Sequence, residues 1–399
     1  MMKILKNTSE KYFSQYIIYI CFILNFIVDL ATGFLLLNKI PVSLSIPFKL
    51  FILLLVIYSI GAKNPNYLIF PLALFSLSCI SIFASLYMEG GKNPLTQSNI
   101  LKIIYSPIIY VYLLLFYKND RTIQAENVIQ LNTLVFVLNI VLGIMGIGYS
   151  SYGTDAGIKG FFYDANALSG TVLVLYVYSY IASNKKSIVF VVWFFIAFLI
   201  GTKSGILAIF LYYTFSKLYY SKWKTKVFIV ILVFLFCYWI YIFYTKIPLL
   251  VMHVDRIIYS MEHNGNILNA LTGNRIMRID NVLNKIKNTE TIMNYLFGYG
   301  YIDNCEMDFF DTLFAYGIIM CVLITGFYLY LIWKNRKNVD ILLLDVLFLI
   351  ISFIAGHIWW NTSISFFFCF INIKKIRVVQ KETKKRKIMD YICRSTYDR

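Results

Sequence analysis

The chain has 399 residues, of which 59% are hydrophobic and only 14% charged, with a mean hydropathy of +0.70 and a formal net charge of +17. A fold of this size in water cannot hide that much apolar surface, so a soluble globular protein is excluded. What remains is an all-α, polytopic integral membrane protein, since hydrocarbon forces the backbone to satisfy its own polar groups within helices.

Crossing a hydrocarbon layer of about 30 Å takes roughly 20 helical residues. Apolar runs predict helices over Tyr16 to Leu37, Leu44 to Ile60, Leu68 to Met88, Leu101 to Tyr117, Val128 to Tyr149, Ala167 to Ser183, Val227 to Tyr244 and Phe309 to Trp333. The first run is too long for a cleavable signal peptide and continues into the array. Two further runs, Ser187 to Phe215 and Ile341 to Ile373, are too long for one helix and short for two.

Charge placement decides between these readings, because Lys and Arg in short loops mark the cytoplasmic side. Lys185 and Lys186 precede the first of the two runs, and Lys217, Lys222, Lys224 and Lys226 follow it. Lys334, Arg336 and Lys337 precede the second, with Lys374, Lys375 and Arg377 after it. Each run therefore crosses twice. The expected fold is one transmembrane domain over 1–399 with about twelve helices and both termini cytoplasmic. One large external loop, 245–308, lies between helices nine and ten, and a basic cytoplasmic tail occupies 374–399. Nearly all the positive excess falls on the segments this topology calls cytoplasmic, so the charge reports orientation and lipid headgroup contact rather than nucleic-acid binding.

The two hairpins are short. About fifteen helical residues rise only roughly 22 Å, so their external turns are expected below the membrane surface, beside a cavity open to the outside. Lys203, at such a turn in Gly201-Thr202-Lys203-Ser204-Gly205, needs water or an anion around it at that depth; it is otherwise a snorkelling lysine in a tight turn.

Before the sixth helix stands Lys159-Gly160-Phe161-Phe162-Tyr163-Asp164-Ala165-Asn166. Asp164 or Asn166 either caps that helix or contributes to a site. In the long loop, Ile276, Ile279, Val282, Leu283 and Ile286 have helical spacing, which predicts an amphipathic helix over Asn274 to Ile286 lying on the membrane or covering the cavity. Arg275 and Arg278 share a face of it. They are either solvated charges or a pair matched to phosphate oxygens. Glu306, Asp308 and Asp311 enter the tenth helix, as first-turn carboxylates favoured by the helix dipole or as part of a polar site at the membrane boundary.

Seven cysteines are scattered without metal or redox spacing, and Cys305 is the one in the external loop, so no disulfide framework is expected there. His253 and His263 lie ten residues apart in that loop, a spacing that fits no helical ligand pair, so no metal is expected. His357, at the last turn beside Trp359 and Trp360, reads as an interface residue.

The order KGFFYDANALSG, GTKSGILA, then a large loop with TGNR, LFGYG and EMDFFDTLFAYG resembles the bacterial O-antigen polymerase family, within the superfamily that also holds the O-antigen ligases. The likeness covers residues 155 to 330, while the N-terminal third matches only as a helix pattern. It implies a metal-independent glycosyltransferase without cofactor at the external face of the bacterial plasma membrane. Such an enzyme transfers a growing glycan from undecaprenyl pyrophosphate to a hydroxyl of the next lipid-linked repeat unit, making lipopolysaccharide O-antigen or capsule. Lys159 and Asn166 fall in the motif before the sixth helix, Lys203 stands where the family often has arginine, and Arg275 matches the loop arginine. Glu306, eleven residues before Gly317, stands where ligases usually carry histidine, which favours polymerase over ligase. Expected partners are the lipid-linked oligosaccharide, membrane lipids and a chain-length regulator protein.

Residue chemistry then suggests roles. Arg275, Arg278 and Lys203 would neutralise the leaving pyrophosphate. Glu306, with Asp308 second, would accept the proton of the attacking hydroxyl. Lys159, Asp164, Asn166 and Asp311 would contact the glycan or carrier. The alternatives are an O-antigen ligase acting on lipid A core and a lipid-linked oligosaccharide flippase. The flippase is disfavoured because the long loop is asymmetric and only Asp29, Lys49, Asp311 and Asp345 place charge in the membrane.

Overall fold

In a computed structural model the described residues are almost wholly helical. The structure describes residues 2–88, 97–117, 125–150, 157–162, 165–243, 275–287, 291–299, 305–354, 356 and 358–373, with positions 246, 251, 255, 258–259 and 261–262 of the long loop. In chain order the helices are α1 (Met2–Leu37), α2 (Ser45–Lys63), α3 (Ile69–Met88), α4 (Gln97–Phe116), α5 (Ala125–Ile144), α6 (Ala165–Ala182), α7 (Lys186–Ile200), α8 (Lys203–Tyr220) and α9 (Trp223–Phe243). They are followed by α10 (Arg275–Ile286), α11 (Ile292–Phe297), α12 (Asp308–Asn335), α13 (Val339–Ile354) and α14 (Thr362–Ile373). Between α5 and α6 a small antiparallel pair, β1 (Tyr149–Ser150) and β2 (Ile158–Gly160), interrupts the all-α pattern.

Four described helical stretches are both long and apolar enough to cross a membrane: Gln15–Leu37, Ser45–Lys63, Ala125–Ile144 and Asp308–Asn335. The protein is thus an α-helical membrane protein. Each of the two ambiguous runs is a pair of helices, α7 with α8 and α13 with α14. The predicted fifth helix ends early, at Ile144 instead of Tyr149, where the left-handed Gly146 and Gly148 turn the chain into β1.

Helix α14 lies at the centre. Every residue from Ile358 to Ile373 is buried, which is the natural place for a helix with no charged residue and apolar side chains on every side but a few serine, threonine and asparagine positions. Phe366 and Phe367 meet Phe22 and Phe26 of α1, Phe368 stacks on Phe348 of α13 at 4.2 Å, and Phe370 meets Tyr117 beyond α4. The outer surfaces of the bundle carry large apolar side chains such as Phe83, Leu138 and Val191, as a lipid-facing surface requires.

Where the hydrophobic effect cannot distinguish helix from lipid, polar contacts fix the packing. On α14, Ser365 pairs with Ser106 of α4 at 2.7 Å, and Asn372 donates to Asp345 of α13 at 3.0 Å, with Asn335 of α12 joining both. At the opposite end Lys49 of α2 meets Asp29 of α1 at 2.6 Å, and the Ser363 hydroxyl bonds to both. Three helices are tied there by one buried ion pair.

Helix α12 is one element only in name. At Gly317 the backbone leaves the helix, with φ 76° and ψ 179°. The segment after α11 fills the break. The Tyr299 N–H donates to the Phe314 carbonyl at 2.8 Å, and Ser81 of α3 bonds to the Tyr316 carbonyl at 3.4 Å, so partners outside the helix take up carbonyls at the interruption. Gly298 and Gly317 lie back to back; a Cβ on Gly317 would stand 2.5 Å from the Gly298 nitrogen. Both have positive φ, which glycine alone adopts freely.

Candidate functional site

The α10 sequence turns one face inward, with Asp280, Asn281 and Asn284 on the exposed side. Val282 and Ile286 are buried with Cys305 and Phe314, and Ile279, Tyr299 and Phe310 pack beside them. The amphipathic helix therefore docks on the mouth of α12. The same face, at the N-terminal end of the helix, carries Arg275 and Arg278, one turn apart, and both reach Glu306. Arg278 Nη1 stands 2.8 Å from Glu306 Oε1 and Arg275 Nη2 stands 3.2 Å from Oε2. Arg275 Nη1 also donates to the Ile354 carbonyl at the end of α13, at 2.8 Å.

Glu306 is held in an unusual conformation. Its φ is +56°, a left-handed value that costs a side-chain-bearing residue roughly 1–2 kcal/mol. Two features impose it. The Asp311 carboxylate accepts the Cys305 N–H at 2.8 Å on Oδ1 and the Met307 N–H at 3.1 Å on Oδ2, gripping the chain on both sides of Glu306. The backbone of Gly356 is so close to the Glu306 carbonyl that a Cβ there would overlap it. Burial pushes the Glu306 carboxyl up, but the hydrogen bond and charge of Arg278, then the charge and hydrogen bond of Arg275, more than offset this and hold it below its ordinary 4.5.

Asp308, the second candidate proton acceptor, is turned to the backbone. It is 1% exposed, and its Oδ2 accepts the backbone N–H groups of Ile358 at 2.7 Å and Trp359 at 2.8 Å. It is a brace that bolts the mouth of α12 to the turn between α13 and α14. Asp311, expected to contact substrate, is likewise committed to the backbone, at 6% exposure.

The same turn reaches α6. Asn361 caps α14 by accepting the Ser363 N–H at 3.0 Å, and its amide donates to the Ala167 carbonyl at 3.0 Å. On the far side of α6, Ser169 accepts from Ser204 at 3.0 Å, next to Lys203. Lys203 itself is exposed at the first turn of α8, after buried Gly201 and Thr202. The starts of α6, α8, α12 and α14 thus converge on one end of the bundle, and α10 docks there on the mouth of α12.

Lys159 sits on β2 with its ammonium 5.5 Å from the centre of the Tyr149 ring, while Asn139 of α5 binds the Lys159 carbonyl and the Phe161 N–H, both at 2.8 Å. That places it on the α1–α5 side, whereas Arg275, Arg278 and Glu306 form the close cluster. Asp164, Thr272, Gly273, Asn274, Gly300, His253, His263 and His357 lie outside the described residues, as does the side chain of Asn166 at the start of α6. Among the described residues no three His, Cys, Asp or Glu side chains gather as a metal site would require.

Sequence reasoning did not find the bracing by Asp311, Asn361 and Gly356, whose partners are backbone groups with no signature of their own. The Asp29–Lys49 pair did have one: two opposite charges, each isolated in a neighbouring apolar run, need each other. No family model, curated protein or solved structure matches this chain.

Proposed function

We propose that this protein is a surface-polysaccharide polymerase, a metal-independent glycosyltransferase of the bacterial plasma membrane. It would cross the membrane twelve times with both termini cytoplasmic, presenting loop 245–308 and the mouths of α6, α8, α12 and α14 to the outside. Its donor is a glycan on undecaprenyl pyrophosphate and its acceptor a hydroxyl of the next lipid-linked repeat unit.

The observation that carries this reading is the pair of arginines on α10, aimed together at one carboxylate, that of Glu306. The order of the motifs supports it. In the reaction the acceptor oxygen attacks the anomeric carbon, the carbon–oxygen bond to the diphosphate breaks, and that electron pair leaves with the diphosphate. Arg275 and Arg278 neutralise the charge that grows there, with Lys203 on the neighbouring helix mouth, and cations already in position need no reorganisation as the bond breaks. Glu306 accepts the proton of the attacking hydroxyl, a contribution typically worth roughly 10²- to 10⁴-fold. Asp308 and Asp311 keep the mouth in shape. Lys159, Asp164 and Asn166 would contact the glycan or carrier.

Deleting the gene and resolving surface glycan on a gel tests the reading. Loss of the long ladder with single repeats retained is the expected result. Loss of all glycan attached to the lipid A core would replace it with ligation or flipping.

A further inference from the structure

Two guanidinium groups one helical turn apart make a site for an anion with several oxygens. In this structure the anion between them is the protein's own. Glu306 gives one carboxylate oxygen to each arginine, at 2.8 and 3.2 Å. Its backbone is held left-handed by Asp311 on both sides and by Gly356 against its carbonyl, and strain of that kind persists only where the surroundings impose it. The contact is not sealed: the Arg278 side chain is 42% exposed and that of Glu306 30%. An outside anion can therefore reach the pair.

We infer that Glu306 is an internal anion which occupies the arginine pair in the resting protein, and that a diphosphate group displaces it. A diphosphate brings more oxygens and more negative charge than a single carboxylate, so the exchange favours it. The source of the diphosphate, the carrier lipid, rests on the function proposed above.

The exchange has a chemical consequence. With the arginines turned to the diphosphate, Glu306 keeps the burial that raises its proton affinity and loses the contacts that lower it. The carboxylate becomes a better base when the donor is seated and remains a poor one before. Donor would then bind before the acceptor hydroxyl is activated, which protects the empty site from unproductive proton transfer.

A ligand that must evict an internal competitor binds with an affinity reduced by the fraction of open sites, and removing the competitor restores it. The full chain in lipid nanodiscs is titrated with inorganic pyrophosphate and, separately, with a polyprenyl diphosphate placed in the disc. Four proteins are compared: wild type, Glu306→Gln, Glu306→Gly and Arg275→Ala/Arg278→Ala. Glu306→Gly removes the carboxylate and suits the left-handed backbone, so it remains informative if the glutamine variant folds poorly. Both Glu306 variants are expected to bind inorganic pyrophosphate about tenfold more tightly than wild type, and the double arginine variant to lose binding. Equal or weaker binding by both Glu306 variants overturns the displacement, and leaves the diphosphate reading standing if the arginine variant still loses affinity. Absence of binding in every protein overturns both. A gain with inorganic pyrophosphate but none with the lipid supports displacement and overturns the lipid-linked donor.

Discussion

The Asp308 carboxylate accepts the backbone N–H of Trp359 at 2.8 Å, joining the first residue of α12 to a turn 51 positions later in the chain. The same oxygen takes the Ile358 N–H. Both N–H groups sit in a buried turn, so removing the carboxylate leaves them without their acceptor. Asp308→Ala is expected to destabilise the protein by about 1–3 kcal/mol and Asp308→Asn by less, because the amide oxygen still accepts. Thermal unfolding in detergent measures both. Equal unfolding temperatures for wild type and the alanine variant would remove the brace.

The arginine pair predicts a loss of function with the fold retained. Arg275→Ala and Arg278→Ala are each expected to lower polymerisation by roughly 10²- to 10³-fold, the usual cost of deleting a fixed donor to a developing charge. Membrane levels should stay normal. The checks are the glycan ladder on a gel and an immunoblot of the membrane fraction.

The depressed Glu306 carboxyl gives a pH window with a definite sign. Its contacts with Arg275 and Arg278 are fully present above the ordinary 4.5 and are lost as pH falls through the lower folded value. Infrared difference spectra should therefore show Glu306 mostly ionised at pH 4.5, with its protonated carboxyl band growing only as pH falls further. A band that appears in wild type and not in Glu306→Gln, already near neutral pH, would contradict the geometry.

Asp29 and Lys49 form a buried pair across α1 and α2. Breaking a buried pair from one side leaves an uncompensated charge and costs about 3–5 kcal/mol, whereas replacing both with apolar residues costs far less. Lys49→Met is thus expected to reduce folded protein sharply, and Asp29→Leu/Lys49→Met to recover most of it. Comparing the unfolding temperatures of wild type, both single variants and the double variant measures the coupling.

Gly317 predicts a strictly local intolerance. Alanine there would meet the Leu296 carbonyl and the Gly298 nitrogen and would sit at φ 76°, so Gly317→Ala should cost at least about 1–2 kcal/mol. Gly326, on the same helix with open space around it, is the control, and Gly326→Ala should leave the yield of folded protein unchanged.

The amphipathic helix was legible because its period is written in five apolar residues, and the pairing of Arg275 with Arg278 because i and i+3 always share a face. The hairpins could be read because lysines flank them on both sides. The break at Gly317 could not. Ala315 and Tyr316 before it and Ile318 and Ile319 after it read as an unbroken apolar helix, and what opens it is a glycine 19 positions earlier, Gly298, pressing on it from another segment.

Sequence alone determined that this is a helical membrane protein with one polar segment among apolar runs, since hydropathy and charge act residue by residue and need no partner. Tertiary structure decided which carboxylate does what. Glu306, Asp308 and Asp311 are the same chemical group within six residues of chain, and the difference between them lies in what comes to meet each: two guanidiniums, the backbone of a distant turn, and the backbone beside Glu306 itself. A carboxylate's chemistry is set by its surroundings, and those are assembled only when the chain folds.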